Sequence, residues 1–116
     1  MLEAEGIQDA LPLVLPRPEP ITPTDRRGSI DESFMRFHAA NPHVYRALRQ
    51  VALHAAARGK RVGMKAVYER VRWEYSVETD GDPYQLNNNY TSRYARLLME
   101  NEPQLAGFFE TRRLHT

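Results

Sequence analysis

Residues 41–59 read NPHVYRALRQVALHAAARG, and this stretch decides the fold class of the chain. Its apolar residues recur at the spacing of one face of an α-helix. That stripe consists of Val44, Tyr45, Leu48, Val51, Ala52 and Ala55. Asn41 is placed as the helix cap, Pro42 occupies the first helical position, and Gly59 follows as the stop. The stretch therefore predicts an amphipathic helix over about 42–58.

Three further helices are predicted around this one. Ser29 and Glu32 have the spacing of a capping box, which begins a helix that ends near Asn41. A third helix covers about 64–77, and Trp73 is expected to widen its buried face into the core. A fourth covers about 89–101, capped by one of the asparagines at 87–89. One more turn is expected at 103–107, after which residues 108–114 form a wing or close the core with their phenylalanines.

The first 28 residues differ from the rest because they hold five of the eight prolines. Neither a helix nor an interior strand can run through prolines at this spacing. We divide the chain into a proline-rich flexible tail, 1–28, and a helical domain, 29–116. The tail is either a disordered leader, or its Leu11–Pro20 segment docks on a partner or back on the domain. Deleting a disordered tail is expected to leave cooperative melting unchanged.

The fold class that follows is mainly all-α. We expect a small helical bundle of the helix-turn-helix or winged-helix type, with a disordered proline-rich N-terminal tail. The chain has no cysteine, and its longest apolar run is far shorter than the roughly 20 residues that a membrane span needs. It begins with acidic residues where a secretory signal is basic. A cytoplasmic location without membrane contact is therefore expected.

The charge distribution permits nucleic-acid binding without demanding it. Residues 1–28 carry five acids and three arginines, and residues 29–116 carry thirteen Lys and Arg against ten Asp and Glu. In a tri-helical DNA-binding core, helix 64–77 would be the supporting helix and helix 89–101 would be the recognition helix. The exposed face of this recognition helix carries side chains that can form hydrogen bonds with bases and phosphates, namely Asn89, Ser92, Arg93 and Arg96. An ordinary solvated helix face remains the alternative interpretation.

A second basic patch is suited to phosphate contacts, which position a duplex but do not recognise its base sequence. It consists of Arg58, Lys60, Arg61 and Lys65. Arg112 and Arg113 could extend a wing to the backbone. A generic run of solvated charge is the alternative for the patch.

No pattern predicts catalysis, a cofactor or a metal site. The four histidines lack the spacing of a metal motif, and His38 and His43 are better explained as packing or capping residues. Neither a glycine-rich phosphate-binding loop nor a serine nucleophile motif occurs. We therefore do not expect an enzyme.

Three stretches together form a recognisable pattern. They are FHAANPHVY at 37–45, VRWE at 71–74 and LNNNYTSRYARLL at 86–98, and they are followed by FFETRRL at 108–114. Over about 34–114 the chain resembles a family of small uncharacterised proteins from bacteria, bacteriophages and prophages. The resemblance implies a phage or bacterial origin and no particular activity.

Two functions remain open at this point. The first is a small DNA-binding regulatory protein, with helix 89–101 in the major groove. The alternative is a phage-type adaptor or inhibitor that binds a host protein through Leu11–Pro20 or an aromatic helix face. The weak net charge favours the second, and the Asn, Ser and Arg face favours the first.

Overall fold

The helices lie close to where the sequence predicts them. A computed structural model of the protein describes residues 13–78 and 87–109. It contains four α-helices, which we number α1 (Ile30–Ala40), α2 (Pro42–Ala57), α3 (Met64–Glu78) and α4 (Thr91–Asn101). Short 3-10 turns occupy Asn88–Tyr90 and Pro103–Leu105, and no strand occurs in the described ranges. The mainly helical fold is confirmed there, whereas the wing arginines Arg112 and Arg113 lie outside the described residues.

Local signals in the sequence determine where the helices begin and end. At the start of α1, Glu32 N–H donates to the Ser29 hydroxyl at 3.1 Å, and Ser29 N–H donates to the Glu32 carboxylate at 3.0 Å. This is the expected capping box. Pro42 occupies the first turn of α2. Before α4, Asn89 N–H donates to the Asn87 side chain at 2.9 Å, so the first of the three asparagines is a cap.

The core is built around α2, which packs against α1 and α3, while α3 packs against α4. The α2 side chains at its centre are fully buried, namely Val44, Ala47, Leu48 and Ala52. Phe109 is also buried, and Phe108 packs partly against the same core. Of the two interpretations of these phenylalanines, closure of the core is therefore confirmed.

Trp73 does not belong to this core. It is 63% exposed, whereas Val71 and Tyr75 are 0% and 3% exposed. Each residue advances about 100° around an α-helix, so a position two residues from the buried stripe points about 200° away from it. The expectation that Trp73 widens the buried face is wrong for this geometric reason.

Residues 13–28 form neither helix nor strand, but they lie against the helices. Three apolar side chains of this segment are partly buried against the core, namely Leu13, Leu15 and Ile21. The Tyr75 hydroxyl donates to the Pro16 carbonyl at 2.8 Å, and Arg46 pairs with Glu19 at 3.7 Å. These contacts favour docking on the domain over a disordered leader.

Asn41 holds this segment in place, although the sequence predicts a helix cap at this position. Its side chain makes no capping hydrogen bond to α2. Instead, its Oδ1 accepts from Thr22 N–H at 2.7 Å, and its Nδ2 donates to the carbonyls of Thr22 at 2.9 Å and Phe37 at 3.1 Å. A primary amide offers both a donor and an acceptor, so it can satisfy both backbone groups of one tail residue. Asn41 is fully buried and acts as a tail anchor.

The exposed position of Trp73 predicts that Trp73→Ala changes the free energy of unfolding by less than about 0.5 kcal/mol. The fully buried Leu98 of α4 is the control, and Leu98→Ala should cost about 2–5 kcal/mol through lost burial and a cavity. Urea unfolding of both variants is the measurement. A cost for Trp73→Ala close to that of Leu98→Ala would contradict the placement of Trp73.

The contacts of Asn41 predict that Asn41→Ala lowers the free energy of unfolding by about 1–3 kcal/mol, because one buried and two partly buried backbone groups lose their partner. The exposed Asn89 provides a matched control, and Asn89→Ala should change stability by less than about 0.5 kcal/mol.

Deleting residues 1–28 should lower the melting temperature and reduce the cost of Asn41→Ala in the shortened chain. An unchanged melting temperature after deletion, which the sequence alone predicts, would show that the docked tail contributes no stability.

Candidate nucleic-acid interface

The start of α4 is fixed against α1 and α3 by buried hydroxyl groups. The Ser33 and Tyr90 hydroxyl oxygens lie 2.7 Å apart in a buried hydrogen bond. The Tyr68 hydroxyl donates to the Asn87 carbonyl at 2.9 Å, and burial raises the pKa of Tyr68 well above its ordinary value. Phe34 meets the Tyr90 ring edge-on, with 5.4 Å between ring centroids. The predicted reading helix therefore has a defined orientation.

The outward side of this helix carries three of the four predicted reading residues. Asn89 and Arg96 are exposed, and Ser92 is half-buried. Arg93 instead donates from Nε to the Asp31 carboxylate of α1 at 2.6 Å, and only 14% of its side chain is exposed. The predicted exposed face is thus corrected at Arg93. Asp31 precedes Arg93 by 62 positions, and no sequence pattern connects the two.

The neighbouring asparagines have structural partners. Asn87 caps the turn before α4, and the Asn88 side-chain oxygen accepts from the Arg72 guanidinium at 2.5 Å. Arg72 also pairs with Glu69 at 2.6 Å and lies over the Tyr68 ring. These contacts join α3 to the start of α4.

The second basic patch lies where α2 ends and α3 begins, and we call Arg58, Lys60, Arg61 and Lys65 the basic corner. All four residues are exposed. The Arg58 guanidinium lies 2.8 Å from the His54 ring. Arg61 donates to the carbonyls of Gly107 at 2.9 Å and Phe108 at 3.3 Å, so it also ties the C-terminal segment to this loop. The four predicted residues therefore lie exposed within one short stretch, from the end of α2 to the first turn of α3.

Elsewhere in the described ranges, carboxylates are mostly paired with arginines. The ion pairs are Arg27–Asp25, Arg46–Glu19, Arg49–Glu102, Arg70–Glu74, Arg72–Glu69 and Arg93–Asp31. By contrast, Lys60, Arg61 and Lys65 have no carboxylate partner in the part of the chain that the structure describes. Three of the four cations of the basic corner are therefore uncompensated within the described ranges.

Two histidines are built into the packing at the other end of α2. Among the described residues, the His43 Nε2 and His38 Nδ1 atoms are buried without a hydrogen-bond partner. Burial lowers the pKa of both rings; at His43 the nearby Glu19 raises the pKa and Arg46 lowers it further. The packing role expected for these histidines is thus confirmed.

Among residues 13–78 and 87–109, no three His, Cys, Asp or Glu side chains are placed to hold a metal ion. No helix within these residues has the length and apolar character needed to cross a membrane. Comparison with known proteins gives no match to a family model, a curated protein or a solved structure.

The buried histidines predict a pH dependence of stability. The folded pKa of His43 lies below its ordinary value of 6.5, so the unfolded chain binds more protons once the pH falls below that value. The free energy of unfolding should therefore be highest above about pH 6.5 and decrease toward pH 5. Urea unfolding between pH 8 and 5 is the measurement. His43→Gln should flatten the decrease more than the control His54→Gln, because His54 is less buried; equal slopes in all three proteins would contradict this assignment.

Proposed function

We propose that the protein binds nucleic acid, with the basic corner as its main contact to the phosphate backbone. The observation that carries the proposal is four exposed cations within residues 58–65. Side chains that neutralise phosphates release condensed counterions, and this release supplies most non-specific affinity. The first turn of α3 contains no acidic residue, so the partial positive charge at the helix start adds to the same potential.

A helix-turn-helix arrangement belongs to the same proposal. In it α3 is the supporting helix, and α4, which packs on α3, faces the nucleic acid with Ser92 and Arg96, joined by Asn89 of the 3-10 turn before it. Because Asp31 holds Arg93, Arg96 is the arginine of α4 that is directed to solvent. We therefore expect strong backbone binding and weak sequence preference. A winged form, with Arg112 and Arg113 on the backbone, remains a finer version of this proposal.

The setting of this activity is also a proposal. The resemblance to bacterial and bacteriophage proteins supports a bacterial cell as the setting, and we propose a regulatory role in its cytoplasm. Nucleic acid is freely accessible there, and a chain without cysteine is compatible with that reducing compartment.

A second candidate function is binding to a host protein. One observation favours it, because Trp73 is a large exposed aromatic side chain, a type enriched at protein interfaces. The tail supports it less, since Leu13, Leu15 and Ile21 already pack on the domain. An aromatic helix face is therefore the better candidate surface for this alternative.

If the basic corner binds phosphates, Lys60→Gln and Lys65→Gln should each weaken binding to all sequences alike. Each variant should reduce the slope of log K against log salt by about one unit, because one fewer phosphate is neutralised. Arg96→Ala should instead cost about 1–3 kcal/mol and relax preference at one base-pair position. Fluorescence anisotropy with labelled DNA between about 50 and 200 mM salt measures these effects.

Arg26→Gln is the matched control, because Arg26 is an exposed cation of the tail outside the basic corner. It should leave affinity and salt slope unchanged. Absence of binding at about 50 mM salt, where charges are least screened, would refute nucleic-acid binding. A pull-down from host lysate would then test the protein-binding candidate.

A further inference from the structure

The largest apolar side chain of the fold points away from the core. Trp73 is 63% exposed and lies on the side of α3 opposite to the buried Val71 and Tyr75. Its neighbours on the outward side of the helix are charged, with Glu69 and Arg70 in the preceding turn. Trp73 thus follows a turn of α3 whose outward side chains are charged.

The helix that carries Trp73 also carries part of the basic corner. Lys65 lies eight positions before Trp73, which corresponds to about 12 Å along the helix axis. The charges closest to Trp73 along α3 compensate one another, since Arg70 pairs with Glu74 at 2.8 Å and Arg72 pairs with Glu69 at 2.6 Å. An uncompensated lysine of the basic corner and an exposed aromatic side chain therefore lie on the same helix.

We propose that Trp73 stacks on an unpaired base of a nucleic-acid strand whose phosphates lie on the basic corner. This inference rests on the proposed function and adds single-stranded nucleic acid as a ligand of the basic corner, beside the duplex that α4 would face. Every base has a π-face, so stacking on an aromatic side chain tolerates any sequence, and cations beside it hold the backbone. That combination agrees with the weak sequence preference expected from α4.

A duplex fits this surface less well. Paired bases are stacked on one another, and a side chain that takes one of them must first remove it from the stack. A single strand offers its bases without that cost. A protein partner is also less suited, because the charged neighbours of Trp73 would have to be desolvated around one aromatic ring.

Trp73 is the only tryptophan of the chain, so intrinsic tryptophan fluorescence reports on this position alone. The full chain is titrated at about 50 mM salt with an oligo-dT strand, and separately with a duplex of the same length. Labelled strands provide the affinity by anisotropy in parallel. Saturable quenching is expected with oligo-dT, whereas a duplex should bind through the basic corner with little quenching.

Three variants separate stacking from charge. Trp73→Ala should weaken oligo-dT binding roughly tenfold without changing the salt slope, and Trp73→Phe should weaken it less, because a smaller ring still stacks. Lys65→Gln should reduce the salt slope and leave quenching at saturation unchanged. Circular dichroism of each variant checks that the helices remain, as the exposed position of Trp73 predicts.

The outcomes distinguish this inference from the function on which it depends. Binding of oligo-dT without quenching, or with affinity unchanged in Trp73→Ala, would overturn stacking and leave backbone binding intact. Equal losses for duplex and oligo-dT in Trp73→Ala would overturn the preference for single strands. Absence of binding to either ligand would refute the proposed function and this inference together. A shift of tryptophan emission that depends on protein concentration alone would assign Trp73 to contact between copies.

Discussion

The buried side-chain amide of Asn41 is the contact on which the arrangement of the N-terminal half depends. It lies between α1 and α2, where it accepts from Thr22 N–H and donates to the Thr22 and Phe37 carbonyls. A buried amide with missing partners is costly, so this position requires the tail segment beside it. The contact joins an irregular segment to two helices and explains how a proline-rich stretch becomes part of the fold. The Tyr75 hydroxyl of α3 also donates a hydrogen bond to the Pro16 carbonyl. The tail segment is therefore attached to the helices at two separate places.

Helix boundaries could be predicted from the sequence because their causes are local. The capping box at Ser29 and Glu32, the proline in the first turn of α2 and the Asn87 cap each depend on residues within three positions. The buried stripe of α2 follows from periodicity alone. The exposure of Trp73 follows from the same periodicity, because a residue two positions from both Val71 and Tyr75 lies on the opposite side of the helix. Periodicity is therefore the better guide to the exposure of Trp73.

The remaining features depend on partners far away in the chain. Asp31 and Arg93 are 62 positions apart, and Thr22 and Asn41 are 19 apart. Each partner alone has several plausible roles, such as a first-turn acid, a base reader or a helix cap. Only the packing of α1 beside α4, and of the tail beside α2, selects among them. The candidate site could therefore be predicted as a set of exposed cations, but the removal of Arg93 from that set could not.

The allocation of charge gives the strongest argument about function. Six carboxylates of the described ranges pair with six arginines, and five of these arginines belong to the helical domain. Among the cations of the described ranges that have no such carboxylate, Lys60, Arg61 and Lys65 all belong to the basic corner, between the end of α2 and the first turn of α3. Asn41 precedes α2 and Arg58 follows it, so about 25 Å of helix separate the tail anchor from that corner. Substitutions this far apart and without shared partners have additive effects on the free energy of unfolding. Docking of the tail can therefore contribute to stability while the basic corner remains available for a polyanion.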